Sequence, residues 1–252
     1  MKIAICLYGQ PRLYEKGYIN IKSFINLNNT HSFDLFFHTW YDDNMIGQYY
    51  QCAPWRNISK DELEIKEDII NNLINLYEPK EYLYESPKIF DTSLYNNTKM
   101  FLLSSDINKK NINNTISSLY SRYQVSTLLK KYIDNQNIIY DFIISIRFDF
   151  LNELNFTIED LKKNVINCMN VNPRLYIADN LIITNYDLFI KYSSTYLNLL
   201  KIMNNIKDKE YLEQIGNGFA IVNESLVTGN LKLYYNNLHE IIYLNNKIPN
   251  FI

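Results

Sequence analysis

Between Tyr140 and Phe150 the chain reads Tyr-Asp-Phe-Ile-Ile-Ser-Ile-Arg-Phe-Asp-Phe, an apolar run followed at once by an arginine and a carboxylate. From Ile138 to Ile146 only Asp141 and Ser145 are clearly polar. A run of that length and composition suits a strand buried on both faces, as in the interior of a parallel sheet. Charge arrives where the strand ends. With an extended backbone, Arg147 and Asp149 project to the same side, because the strand repeat is two residues. Ligands bind at the carboxyl ends of strands in open α/β sheets, and a cation beside an anion there suits a phosphate with a metal or hydroxyl. An Arg–Asp pair that merely closes the strand fits the same residues.

The start of the chain repeats the design. Ile3–Tyr8 is a short apolar strand that breaks into Gly9-Gln10-Pro11-Arg12, and a helix is expected from Tyr14 to about Asn26. Strand, tight polar turn and helix form the opening of a nucleotide-binding βαβ unit. No Gly-x-Gly-x-x-Gly is present, so a dinucleotide is disfavoured; Gly9 allows a ligand close to the backbone and Arg12 can reach a phosphate. Ser32–Trp40 is a second strand with a polar tip. There His38 is expected to be a hydrogen-bonded structural residue, and Asp42 and Asp43 a solvated loop, since adjacent carboxylates diverge on an extended chain.

Further along, residues 44–60 read as an irregular flap, Asp61 as the N-cap of an amphipathic helix ending before Pro79, and Lys80–Glu85 as a short strand. Residues 87–114 are polar and Asn-rich and are expected to form a loop or partly ordered insertion. Ile116–Ile133 has helical spacing, with Ser117, Ser121 and Arg122 on roughly one face; the serines are expected in solvent, and Arg122 is a candidate for a diphosphate. Thr157 should cap a helix reaching about Ile166. Leu175–Ile177 and Leu181–Thr184 are strand-like around Asp179, and Asp187–Met203 is expected to be one amphipathic helix.

At 252 residues, with an apolar share of 47%, the chain can bury one α/β core, and no convincing linker divides it. A formal charge of −2 argues against general nucleic-acid binding. Cys6, Cys52 and Cys168 are too dispersed for a metal pattern or a disulfide framework, which implies a reducing compartment. The first residues are too short an apolar run for a signal peptide, and no stretch approaches the roughly 18 residues of a transmembrane span. A cytoplasmic location is the expectation.

Lys2–Arg12, Phe33–Trp40, Ser118–Gln124 and Tyr140–Asp149 together resemble a family of sugar transferases found in bacterial surface-polysaccharide clusters and in large DNA viruses. The resemblance covers most of residues 1–240, with a variable excursion at about 44–115. It implies a single Rossmann-like GT-A-type domain with a mostly parallel sheet flanked by helices, binding a nucleotide-sugar donor. The implied reaction is transfer of the sugar to a glycan, lipid-linked or protein acceptor, with peripheral membrane association possible for such an enzyme. By the same resemblance Gly9, Gln10 and Arg12 lie against the nucleotide. Arg147-Phe-Asp149 stands where GT-A enzymes carry Asp-x-Asp; Asp149 then holds Mn²⁺ or Mg²⁺ alone while Arg147 neutralises a phosphate. Asp179 is the first candidate for the base that takes the acceptor's proton and Glu224 the second. The competing class is a non-catalytic nucleotide- or glycan-binding module with a degenerate metal site. A methyltransferase-like enzyme calls for a glycine-rich first loop, which a lone Gly9 does not supply.

Overall fold

The computed structural model describes residues 1–51, 58–168, 180–204, 226–227, 230–231 and 241–243. Among them the chain is a mixed α/β fold around a mostly parallel sheet. The strands are β1 (Lys2–Gly9), β2 (Ser32–Trp40), β3 (Glu81–Glu85), β4 (Phe142–Arg147), β5 (Ile166–Cys168), β6 (Leu181–Thr184) and β7 (Ile241–Tyr243), in the order β3-β2-β1-β4-β6-β5-β7. Only β6 runs against the others, pairing antiparallel with β4 and β5. No helix among the described residues is long and apolar enough to cross a membrane.

Both faces of the sheet are buried, which explains why β1 and β4 are apolar without alternation. Ile3, Ile5 and Leu7 enter a core completed by Ile21 and Phe24 of α1 (Tyr14–Leu27) and Leu73 and Tyr77 of α2 (Ile69–Tyr77). Ala4, Cys6 and Tyr8 enter the other core. There they meet α5 (Ile112–Gln136), α6 (Tyr186–Ser193) and α7 (Thr195–Asn204) through Ile116, Leu129, Phe189 and Ile202. Cys6 and Cys168 are buried free thiols, and burial pushes the Cys6 thiol well above its ordinary range. Cys52 lies outside the described residues.

Several local expectations give way to tertiary pairing. The strand expected from Ile138 begins only at Phe142, because Asn137 closes α5 in the left-handed conformation (φ 50°) and the next residues turn the chain into the sheet. Asp61 opens a single 3₁₀ turn rather than a helix. The following residues are held extended by Gly47 N–H to Ile65 O (2.9 Å) and Tyr50 N–H to Leu63 O (2.8 Å), so α2 starts at Ile69. Thr157 and Asp160 form a capping box, yet the turn ends at once and Asn164 (φ 61°) leads into β5. The expected Asp187–Met203 helix breaks at Ser194, whose hydroxyl donates to Lys191 O. The Asn-rich 87–114 stretch is ordered: a 3₁₀ turn at Ser93–Tyr95, then α3 (Lys99–Leu103) and α4 (Asp106–Lys110), both capped by hydroxyls, Thr98 and Ser105.

Candidate functional site

The chain goes from β1 through α1 to β2 on one side and returns through α5 to β4 on the other, so β1 and β4 are neighbours at which the strand order reverses. Tyr8 pairs with Arg147 across that seam. At their carboxyl ends lie Gly9-Gln10-Pro11-Arg12 and Arg147-Phe-Asp149, the crevice where open α/β sheets place ligands.

Here Asp149, only 2% exposed, sits between two guanidinium groups. Arg147 holds it bidentately, Nε to Oδ1 at 2.8 Å and Nη2 to Oδ2 at 2.9 Å. Arg12 Nε reaches Oδ2 at 2.5 Å from 137 residues away in the chain, and Arg12 Nη1 donates to Gln51 O. The arginine side chains remain 16% and 23% exposed. Both arginines converge on this one carboxylate, and neither side chain is fully sealed from solvent. The strand-closing Arg–Asp pair is what these residues form, with Arg12 as a second partner of Asp149.

The approach of Arg12 depends on how α1 is seated. A Cβ placed on Gly17 meets Phe148 O at 2.0 Å, so only glycine lets the helix rest on the β4 turn beside Asp149. Tyr77 pins the same end, its hydroxyl donating to Tyr14 O at 2.7 Å. Leu13, between Arg12 and α1, is held in the left-handed region at φ 54°. Gly9 is at φ +96° with open space where a Cβ would stand, a conformation that favours glycine and leaves room beside the backbone. Gln10 is exposed in the turn.

Behind Gly9 runs a buried polar chain. Gly9 N–H donates to Ser121 Oγ (2.8 Å), which contacts His38 Nδ1 (2.7 Å), while His38 Nε2 faces Glu85 Oε2 (3.0 Å). Burial depresses the His38 pKa to about 4, so at neutral pH the ring carries one proton. A directed chain follows: the Ser121 hydroxyl donates to Nδ1, and Nε2–H donates to Glu85. His38 is thus a structural histidine, as expected, but Ser121 is fully buried rather than solvated. The chain ties the turn after β1 to β2, β3 and α5. No sequence spacing links residues 9, 38, 85 and 121; only the fold does.

Arg122 is not part of the crevice. It is 0% exposed, lies between the rings of Tyr8 and Tyr192 at 4.7 and 4.5 Å, and donates from Nη2 to Tyr8 Oη at 2.9 Å. A diphosphate contact by Arg122 is corrected to an internal packing role, because its guanidinium is already enclosed by aromatic faces. On the other side of Arg12 a cavity of about 300 Å³ opens, lined by Leu13, Tyr14, Tyr50 and Ile69 with charges of both signs, Lys16 and Lys66 against Glu15, Asp61, Glu62 and Glu64. The Tyr50 hydroxyl on its wall is buried with no hydrogen-bond partner. Sequence reasoning left Tyr50 inside an irregular flap and gave no signal for it.

The divalent cation implied for Asp149 does not fit these residues. Three guanidinium N–H donors already converge on its two oxygens, and a Mg²⁺ or Mn²⁺ ion there would face two fixed positive charges. Among the described residues no three His, Cys, Asp or Glu side chains gather to hold a metal. Asp179 and Glu224, the candidate bases, lie outside the described residues.

No family model matches the chain. It is 30% identical over 172 residues to "Transcriptional regulator of yeast form adherence 5" of Candida albicans, a match covering 63% of this chain. The match spans 17% of that protein's length. The similarity is to a protein named for regulation of transcription and points away from sugar transfer. On that finding the glycosyltransferase function is corrected.

Proposed function

We propose that this chain is a binding domain for a phosphate-bearing ligand of the nucleoside-diphosphate class, on a Rossmann-like frame of the GT-A kind, and that its output is a bound state rather than a chemical turnover. The observation that carries this reading is the Arg12–Asp149–Arg147 cluster at the β1/β4 crevice. Asp149 fixes both guanidinium planes in advance, so an incoming phosphate meets donors that lose little freedom on binding. The open turn at Gly9 admits the ligand close to the backbone, and the cavity past Arg12, with the rings of Tyr14 and Tyr50 among walls of mixed polarity, has room for a base or ribose. A regulatory setting is supported by the printed name of the Candida albicans protein. The formal charge of −2 favours ligand sensing over direct contact with DNA.

Calorimetric titration of uridine, guanosine and adenosine diphosphates, with and without Mg²⁺, tests it. At least one is expected to bind, with Arg147→Ala and Arg12→Ala each weakening it by roughly 10–100-fold, the loss of a charge-assisted contact worth about 1.5–3 kcal/mol. Binding of none of them, or binding indifferent to both substitutions, removes the proposal.

A further inference from the structure

The excursion between β3 and α5 puts aliphatic side chains where water is. In the 3₁₀ turn, α3 and α4, Leu94, Leu102, Leu103 and Ile107 are 62%, 63%, 61% and 71% exposed, while Met100 and Asn108 on the same short helices are buried. Both α3 and the 3₁₀ turn abut α7, whose Leu197 and Leu200 are 60% and 43% exposed. These elements spend one face on the α5 core and leave a second apolar face outside. Isolated exposed leucines are ordinary, but a cluster on adjoining elements marks a contact surface.

The charge around this face selects what it meets. Along the excursion Lys99, Lys109 and Lys110 stand against Asp91 and Asp106, with Lys109 paired to Asp106, while Lys88 just before them is held by Glu85; a small positive excess remains within a chain of net charge −2. Lys201 on α7 is a further exposed cation. A second copy seated on this face would bring two surfaces of the same charge together. A bilayer with anionic headgroups takes both features together, since leucines enter the headgroup boundary and lysines meet the phosphates and carboxylates above it. We infer that the outer face of α3, α4 and α7 docks on an anionic lipid surface.

Co-sedimentation of the full chain with phosphatidylcholine vesicles, alone or mixed with phosphatidylserine, tests this. Expected is pelleting with the mixed vesicles, weak pelleting with the neutral ones, and release by added salt. Leu102→Ser with Leu103→Ser, and separately Lys99→Glu with Lys110→Glu, are each expected to lower vesicle affinity by on the order of tenfold. All four positions being at the surface, circular dichroism melting of these variants should match the parent. Absence of pelleting with the mixed vesicles, or pelleting unchanged in both double variants, overturns the inference. So does a dimer in light scattering that the leucine variant dissolves, which assigns the face to a second copy.

Discussion

At the scale of single residues the crevice is held by charges that need one another. Asp149 is nearly sealed, so its removal takes from Arg12 and Arg147 the carboxylate they share. Breaking a buried pair costs about 3–5 kcal/mol, and because both guanidinium groups retain some water the expected loss for Asp149→Ala is about 2–3 kcal/mol, read from urea unfolding; Asp149→Asn, which keeps the shape, loses less. His38 gives a prediction in pH. Its pKa is about 4 in the fold and about 6.5 in an unfolded chain, so between these values the unfolded state binds more protons and stability falls as pH falls. The contribution is intact above pH 6.5 and lost on the way down to 4, about 3 kcal/mol in all. His38→Gln, which can still hydrogen-bond Ser121 and Glu85, should be flatter than the parent by that amount in unfolding curves across this window. Parallel curves for the two proteins would refute the assignment of a buried neutral ring. Of this, the order of residues showed the Arg147–Asp149 pair that closes the strand and the structural role of His38, which its aromatic neighbours suggested; the part of Arg12 and the partners of His38 it did not show.

Elements show where local sequence suffices and where it does not. β1, β2, β4 and α5 were legible because their periodicity is strong and both sheet faces are covered, so a continuous apolar run has one reading. β5 was hidden: its central residue is Asn167, whose side chain is fully buried and bonds Lys162 O and Ile183 O, so polarity there is satisfied by the fold rather than by solvent. Asn-rich composition misled for 87–114 in the same way, since Thr98 and Ser105 cap two short helices that composition alone reads as loop. Gly17 passed unremarked in α1, where glycine is a poor helix former. Its reason is the contact with Phe148 O. Gly17→Ala gains about 1 kcal/mol of helix propensity, yet the methyl group must push α1 off a backbone carbonyl, and overpacking of this kind costs about 1–3 kcal/mol or more. The net expectation is a loss of about 1–2 kcal/mol by thermal or urea unfolding, with weakened diphosphate binding because Arg12 moves with the helix. A variant more stable than the parent would show that the helix has room to shift.

For the whole molecule, the strand order is what converts scattered residues into a site. Arg12 and Asp149 are separated by 137 positions and meet because β1 and β4 are adjacent at the reversal, a juxtaposition that the sequence could suggest only by analogy with α/β sheets in general. The polar tips of β1 and β4 were readable, as apolar runs ending in charge; the sharing of one carboxylate by two arginines was not, nor was the enclosure of Arg122, since both depend on partners far along the chain. A ligand that bridges the two strand ends binds only the folded sheet, so it must stabilise the fold as a unit. At a free concentration about 100 times its Kd the gain is about 2.7 kcal/mol, and for a chain of this size each kcal/mol moves Tm by about 2–4 °C. Differential scanning fluorimetry with the diphosphate that calorimetry identifies should therefore show a rise of about 5–10 °C, reduced to near zero at the same concentration in Arg12→Ala with Arg147→Ala. A rise of equal size in that double variant would place the ligand elsewhere on the molecule, because no contact to the seam between β1 and β4 would then be needed to hold it.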